Sequence, residues 1–119
     1  MADGYLTTHV LDTAKGVPAQ GLTIDIYRIE GEARVHLATK VTNSDGRTDG
    51  PILPAGEFAV GVYELVFQAG AYLDASGVPQ EEPRFLDVVP IRFGISDAQS
   101  HYHVPLLISP FGMSTYRGS

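Results

Sequence analysis

The stretch from Arg34 to Thr42 constrains the fold more than any other. Val35, Leu37, Thr39 and Val41 occupy one parity, and Arg34, His36 and Lys40 the other. Alternation of this kind suits a strand with one face buried and one in water, because successive side chains point to opposite faces of a sheet. The same period governs Gly21 to Ile29, where Leu22, Ile24 and Ile26 oppose Thr23, Asp25 and Tyr27. Strands are also predicted over Tyr5 to Asp12, closed by a Lys15-Gly16-Val17-Pro18 turn, and over Glu57 to Gln68, with Tyr63, Leu65 and Phe67 on one face. Leu86 to Ile95, His101 to Ser109 and a short Met113 to Arg117 complete the set. Ala69 to Ala75, stopped by Gly77, is the one helical candidate. The 13 Gly and 8 Pro are spread along the chain as turn punctuation. Roughly seven or eight short strands with one small helix add up to an all-β sandwich.

A length of 119 residues corresponds to a single domain spanning the whole chain. A chain this size buries roughly two-thirds of its unfolded surface, enough for a core but with little left to wrap a deep cleft. The absence of cysteine excludes a disulfide scaffold, a thiolate zinc site, an iron–sulfur cluster and a cysteine nucleophile. A formal charge of −6 disfavours nucleic acid and anionic membranes as partners. The start, Met1-Ala2-Asp3-Gly4-Tyr5, lacks the basic and apolar regions of a signal peptide. No apolar run approaches the roughly 18–20 residues of a membrane span. A soluble, cytoplasmic protein is expected.

Three of the four histidines lie in strand candidates rich in apolar neighbours. On a strand, His9 shares a face with Thr7 and Leu11, opposite Leu6 and Val10. His101 and His103 flank Tyr102 and project from one face, opposite Val104, Leu106 and Ile108. His36, on the polar face of its strand, is read as a surface residue. His101-x-His103 has the spacing of a metal half-site, with His9 as third ligand of an open zinc. No carboxylate lies near in sequence to complete it, so a metal-free role is expected and no cofactor is assigned. Arg47 is a lone cation between two Asp-Gly turns, Asp45-Gly46 and Asp49-Gly50. A loop guanidinium is ordinarily solvated, yet its fork of donors also suits a planar, anionic substrate. The sequence closes on Tyr116-Arg117-Gly118-Ser119 after an apolar strand and a Ser109-Pro110-Phe111-Gly112 turn.

Three segments together resemble the 5-hydroxyisourate hydrolases of the transthyretin-like family. They are Leu6-Thr7-Thr8-His9-Val10-Leu11-Asp12 with Gly16-x-Pro18-Ala19, then Asn43-x-Asp45-Gly46-Arg47, and lastly Tyr102-His103-x-Pro105-Leu106-Leu107-x-Ser109-Pro110 through Ser114-Thr115-Tyr116-Arg117-Gly118-Ser119. The likeness runs the length of the chain, and the Tyr-Arg-Gly-Ser end is its most specific part. It implies a transthyretin-like β-sandwich of two four-stranded antiparallel sheets with one short helix. It also implies a homotetramer with active sites at the subunit interface. The reaction implied is hydrolysis of a small purine-derived substrate, 5-hydroxyisourate, to 2-oxo-4-hydroxy-4-carboxy-5-ureidoimidazoline, a step in urate degradation to allantoin. Carried over by position, His9, Arg47, His103 and Ser119 are the catalytic expectations; His9, Arg47, Tyr116, Arg117 and Gly118 are the substrate-binding ones. His101 stands outside that set.

These residue types fit the chemistry. Opening a cyclic acyl group with water needs a base for the water and donors for the developing oxyanion. A histidine titrates near neutrality, and Arg47 stays charged. His9 or His103 would activate water while the other donates a proton or binds the heterocycle, and Ser119 would position the water or a histidine. Competing readings are a non-catalytic carrier with a small aromatic ligand in a tetramer channel, an adhesion-type sandwich module, and the His-x-His zinc hydrolase. Fold alone does not separate them.

Overall fold

The computed structural model describes residues 4–53, 56–79 and 81–118. In chain order its elements are β1 (Tyr5–Asp12), β2 (Val17–Pro18), β3 (Thr23–Glu30), β4 (Ala33–Val41), β5 (Gly61–Gln68), α1 (Ala69–Ala75), β6 (Val88–Ile95), β7 (His101–Ser109) and β8 (Gly112–Thr115). They form two four-stranded sheets, ordered β2-β1-β7-β8 and β4-β3-β5-β6. The helix and the strand over His101–Ser109 have the bounds predicted from the sequence. The strand expected from Glu57 begins only at Gly61. Residues 57–60 curl around the Tyr63 hydroxyl instead, which donates to the Ala59 carbonyl at 2.8 Å and accepts the Ala59 N–H at 3.3 Å.

Two further features depart from the sequence expectation. One is the pairing of β1 with β7, which is parallel, where an antiparallel sheet was expected. These strands are separated in sequence by the entire second sheet, so no hairpin dictates their relative direction. The other is β4, whose alternation does not run through. Thr39 pairs with Asp25 and Ala38 with Ile26, but the next pair is His36 with Tyr27, leaving Leu37 as a bulge. A bulge resets the parity. Thr39 therefore hydrogen-bonds Asp25 on the outer face at 2.6 Å, while Leu37 packs against the core.

The core lies between the sheets. Leu6 and Val10 of β1 and Val104, Leu106 and Ile108 of β7 meet Ile24 and Ile26 of β3 and Tyr63, Leu65 and Phe67 of β5, all buried. Each fully buried side chain of this size contributes about 1.5–3 kcal/mol through lost apolar surface. The buried polar groups are paired. Asp12, at the end of β1, accepts the Tyr72 hydroxyl of α1 at 2.9 Å and the Lys15 N–H at 3.1 Å. Glu64 lies between Arg34 and Arg92, each 3.0 Å away. Burial works against its charge, but the two guanidinium hydrogen bonds prevail and hold its carboxyl below the usual range.

Because β1 and β7 bury their even-numbered residues, the odd-numbered ones stand on the outer face of the first sheet. Parallel register sets Tyr5 beside His101, Thr7 beside His103, His9 beside Pro105 and Leu11 beside Leu107. That face carries the candidate site.

Candidate active site

An open cavity of about 490 Å³ sits at one end of this face. Tyr5, Thr7, Thr8, Arg47, Thr48, Gly50, Pro51, His101 and His103 line it, with no carboxylate among them. Arg47 is the one permanent charge among these described lining residues, in a chain that is acidic as a whole.

Arg47 reaches the cavity because its turn is anchored twice. The Asn43 side chain accepts the N–H groups of Asp45 at 2.9 Å and Arg47 at 3.2 Å, a local turn that asparagine favours. Gly46 then presses the turn onto the middle of β1, where its carbonyl accepts the Val10 N–H at 2.8 Å. Gly46 has φ of 75°, and a Cβ there would lie 2.4 Å from the Val10 carbonyl oxygen, so only glycine fits. The Arg47 guanidinium itself has no hydrogen-bond or ion-pair partner among the described residues, which leaves its donor fork available to a ligand.

His103 is held on three sides. The Thr7 hydroxyl lies 2.8 Å from Nδ1. Gly118 donates its N–H to the His103 carbonyl at 2.8 Å. The Gly118 α-carbon lies so close that a Cβ would stand 2.5 Å from His103 Cδ2. This bridge continues the β7–β8 register beyond Thr115, which pairs with Leu106. Burial first, then the Arg47 guanidinium and the His101 and His9 rings, push His103 below the ordinary imidazole value of 6.5. Its neutral form is thus favoured near pH 7. His9 is half-buried on the same face and acts on His103 through charge, though it does not line the cavity.

The other predicted residues fall elsewhere. Arg117 lies over the Tyr102 ring, 4.3 Å from its centroid. With Tyr116 it borders a separate cavity of about 210 Å³ between the sheet edges, alongside Ile91, Phe93 and Val104. Within one chain, Arg47, His103 and Gly118 come together with His9 nearby, and Tyr116 and Arg117 do not join them. Ser119 lies outside the described residues. Among the described residues, no group of three His, Cys, Asp or Glu side chains is arranged to hold a metal ion. The facing nitrogens of His101 and His103 are both engaged by Thr7. Thr7 and Tyr5 were not singled out in the sequence, although both share the parity of His9, which was the available signal.

The HIUase/Transthyretin family model matches residues 6–118. The chain is 64% identical over 116 residues to 5-hydroxyisourate hydrolase 2 of Rhizobium meliloti, covering 98% of this chain and 97% of that one. Among solved structures it resembles Klebsiella pneumoniae 5-hydroxyisourate hydrolase, with a TM-score of 0.80, 38% identity and coverage of 97% and 99%. It also superimposes on an (S)-allantoin synthase with a TM-score of 0.91 and 46% identity; 99% of this chain is covered but only 44% of that longer one. The matched span holds the strand-borne histidines, the Arg47 turn and the return of Gly118 to His103, and the chain belongs to the HIUase/Transthyretin family.

Proposed function

We propose that this chain is a hydrolase that opens the ring of 5-hydroxyisourate to give 2-oxo-4-hydroxy-4-carboxy-5-ureidoimidazoline. The observation that carries the chemistry is an imidazole biased toward its neutral form, His103, sharing a cavity with the Arg47 guanidinium, which among the described residues has no partner and no carboxylate beside it in the cavity lining. Neutral His103 takes a proton from water as the oxygen attacks the acyl carbon of the ring. Arg47 donates hydrogen bonds to the oxyanion that develops there. Collapse of the adduct breaks the ring C–N bond, the nitrogen regains a proton, and a carboxylate and a ureido group result. His9, two residues along the same face from Thr7, binds the heterocycle or returns that proton. Ser119, next after Gly118 in the sequence, positions the water or a histidine.

The outer face continues past the histidines into Leu11 and Leu107, a half-buried apolar row suited to cover by another copy of the chain. A homotetramer with sites at the subunit interface accounts for that row, and for Tyr116 and Arg117 standing outside the cavity of their own chain. No helix is long and apolar enough to cross a membrane among the described residues; a cytoplasmic location and a single domain over the whole chain complete the proposal.

The test uses 5-hydroxyisourate generated freshly from urate and uricase, its decay followed by ultraviolet absorbance. Addition of the chain accelerates decay, and Arg47→Ala lowers kcat/KM by about 10²-fold, the loss typical of an oxyanion donor. Decay no faster than the spontaneous rate with the wild-type chain would refute the proposal.

A further inference from the structure

Thr7 connects the two histidines of β7. Its Oγ1 lies 2.6 Å from His101 Nε2 and 2.8 Å from His103 Nδ1. A threonine hydroxyl has one hydrogen to donate. It serves at most one of these nitrogens, so at least one of the two rings donates to it. The tautomers of His101 and His103 are therefore coupled through a single oxygen.

The surroundings of the two rings permit one direction that leaves no buried group unpaired. His101 is exposed, and the Tyr5 ring stacks on it at 4.1 Å between centroids with planes 10° apart. The stack fixes the plane of this exposed ring, and its Nδ1 has no partner among the described residues, so carrying a proton at Nδ1 and a lone pair at Nε2 leaves no buried group unpaired. His103 is half-buried, and its Nδ1 has Thr7 as partner. A proton on His103 Nδ1 is satisfied by Thr7 and passes the hydroxyl hydrogen on to His101 Nε2. Register makes this possible: Tyr5 pairs with His101 and Thr7 with His103, all on one face.

We infer that Thr7 is a positioning residue that holds His103 in the Nδ1–H tautomer, with His101 as the acceptor that orients the Thr7 hydroxyl. Nε2 of His103 is thereby left as the lone-pair nitrogen, the form a base requires. When it takes a proton, the Nδ1–H···Oγ1 bond is already made and nothing need reorganise. This rests on the hydrolase reading for its kinetic consequence, but not for its structural one.

The test pairs two readouts on the full chain. Imidazole ¹⁵N spectra at neutral pH are expected to show His103 protonated at Nδ1 and bare at Nε2. Thr7→Val keeps a β-branched side chain and removes the hydroxyl; it should lose that preference and lower kcat by at least about tenfold, with KM changed less than about twofold. Thr7→Ser should restore both within about threefold. His101→Phe preserves an aromatic stack on Tyr5, and its loss in kcat should not add to that of Thr7→Val, as for residues acting through one hydrogen-bond chain. A wild-type His103 protonated at Nε2 instead, full kcat in Thr7→Val, or failure of Thr7→Ser to rescue would overturn the inference. If the wild type does not turn over 5-hydroxyisourate, the hydrolase reading fails, while the ¹⁵N spectra still decide the tautomer.

Discussion

Replacing Gly118 with alanine tests whether the carboxyl-terminal segment controls His103. The added Cβ would stand 2.5 Å from His103 Cδ2, 3.1 Å from Cγ and 3.2 Å from the His103 Cβ. Ordinary carbon–carbon contact is about 3.5–4.0 Å, so ring and tail must separate by about 1 Å. Two relaxations are available. Either the imidazole swings away from Gly118 and disturbs its 2.8 Å contact with Thr7, or the tail lifts and loses the 2.8 Å Gly118 N–H bond to the His103 carbonyl. A misplacement of about 1 Å in a catalytic group costs about 10² in rate. Gly118→Ala is therefore expected to lower kcat by about two orders of magnitude in the 5-hydroxyisourate decay assay. The change lies at the end of an edge strand, away from the core, so the urea midpoint should barely move. A Gly118→Ala variant with wild-type kcat would refute the reasoning, because the clash is with the His103 side chain itself.

Three further perturbations follow from particular contacts. Since burial, Arg47, His101 and His9 hold His103 below 6.5, the imidazolium forms only at lower pH, and a base must be neutral to act. The acid limb of kcat/KM should accordingly fall below pH 6.5; a midpoint at or above 6.5 would show that His103 is not the base. Tyr72 is pushed up to about 12 from 10.0, by burial first and then by its hydrogen bond to Asp12. The native state thus keeps this proton where the unfolded chain loses it, and stability present below pH 10 is lost as pH rises through about 12. Tyr72→Phe should cost about 1.5–3 kcal/mol at pH 7 for a bond to a charged group and flatten that alkaline decline, as read by urea unfolding at several pH values. Gly46→Ala sets a Cβ 2.4 Å from the Val10 carbonyl oxygen at a φ of 75°. It should lower the melting temperature and kcat/KM together, because the turn that carries Arg47 must leave β1; loss of neither would show that the turn is not anchored there.

The elements nearest the site were legible because their signals are local. Period-2 patterning located β1 and β7, and it placed His9 opposite Leu6 and Val10, as found. The helix ended where Gly77 suggested. Where a signal depended on a distant strand, legibility failed. The bulge at Leu37 exists only in the pairing of β4 with β3, so an unbroken alternation was expected from Val35 to Val41. Thr7 had no distinctive motif of its own, and its importance appears only once β7 lies alongside.

Sequence by itself thus determined which residues are chemically able to act and, through strand parity, which side of each strand they occupy. Alternation is a property of consecutive residues and needs no partner. Tertiary structure decided who meets whom. The parallel register of β1 and β7 set Thr7 against His103 and Tyr5 against His101 across more than ninety residues of chain. The Gly46 turn carried Arg47 to the same cavity, while strand geometry sent the Arg117 guanidinium to the Tyr102 ring and brought Gly118 against His103. Such meetings depend on which sheet edges pair and in which direction, and that is settled by burial of the whole core rather than by any local run of residues.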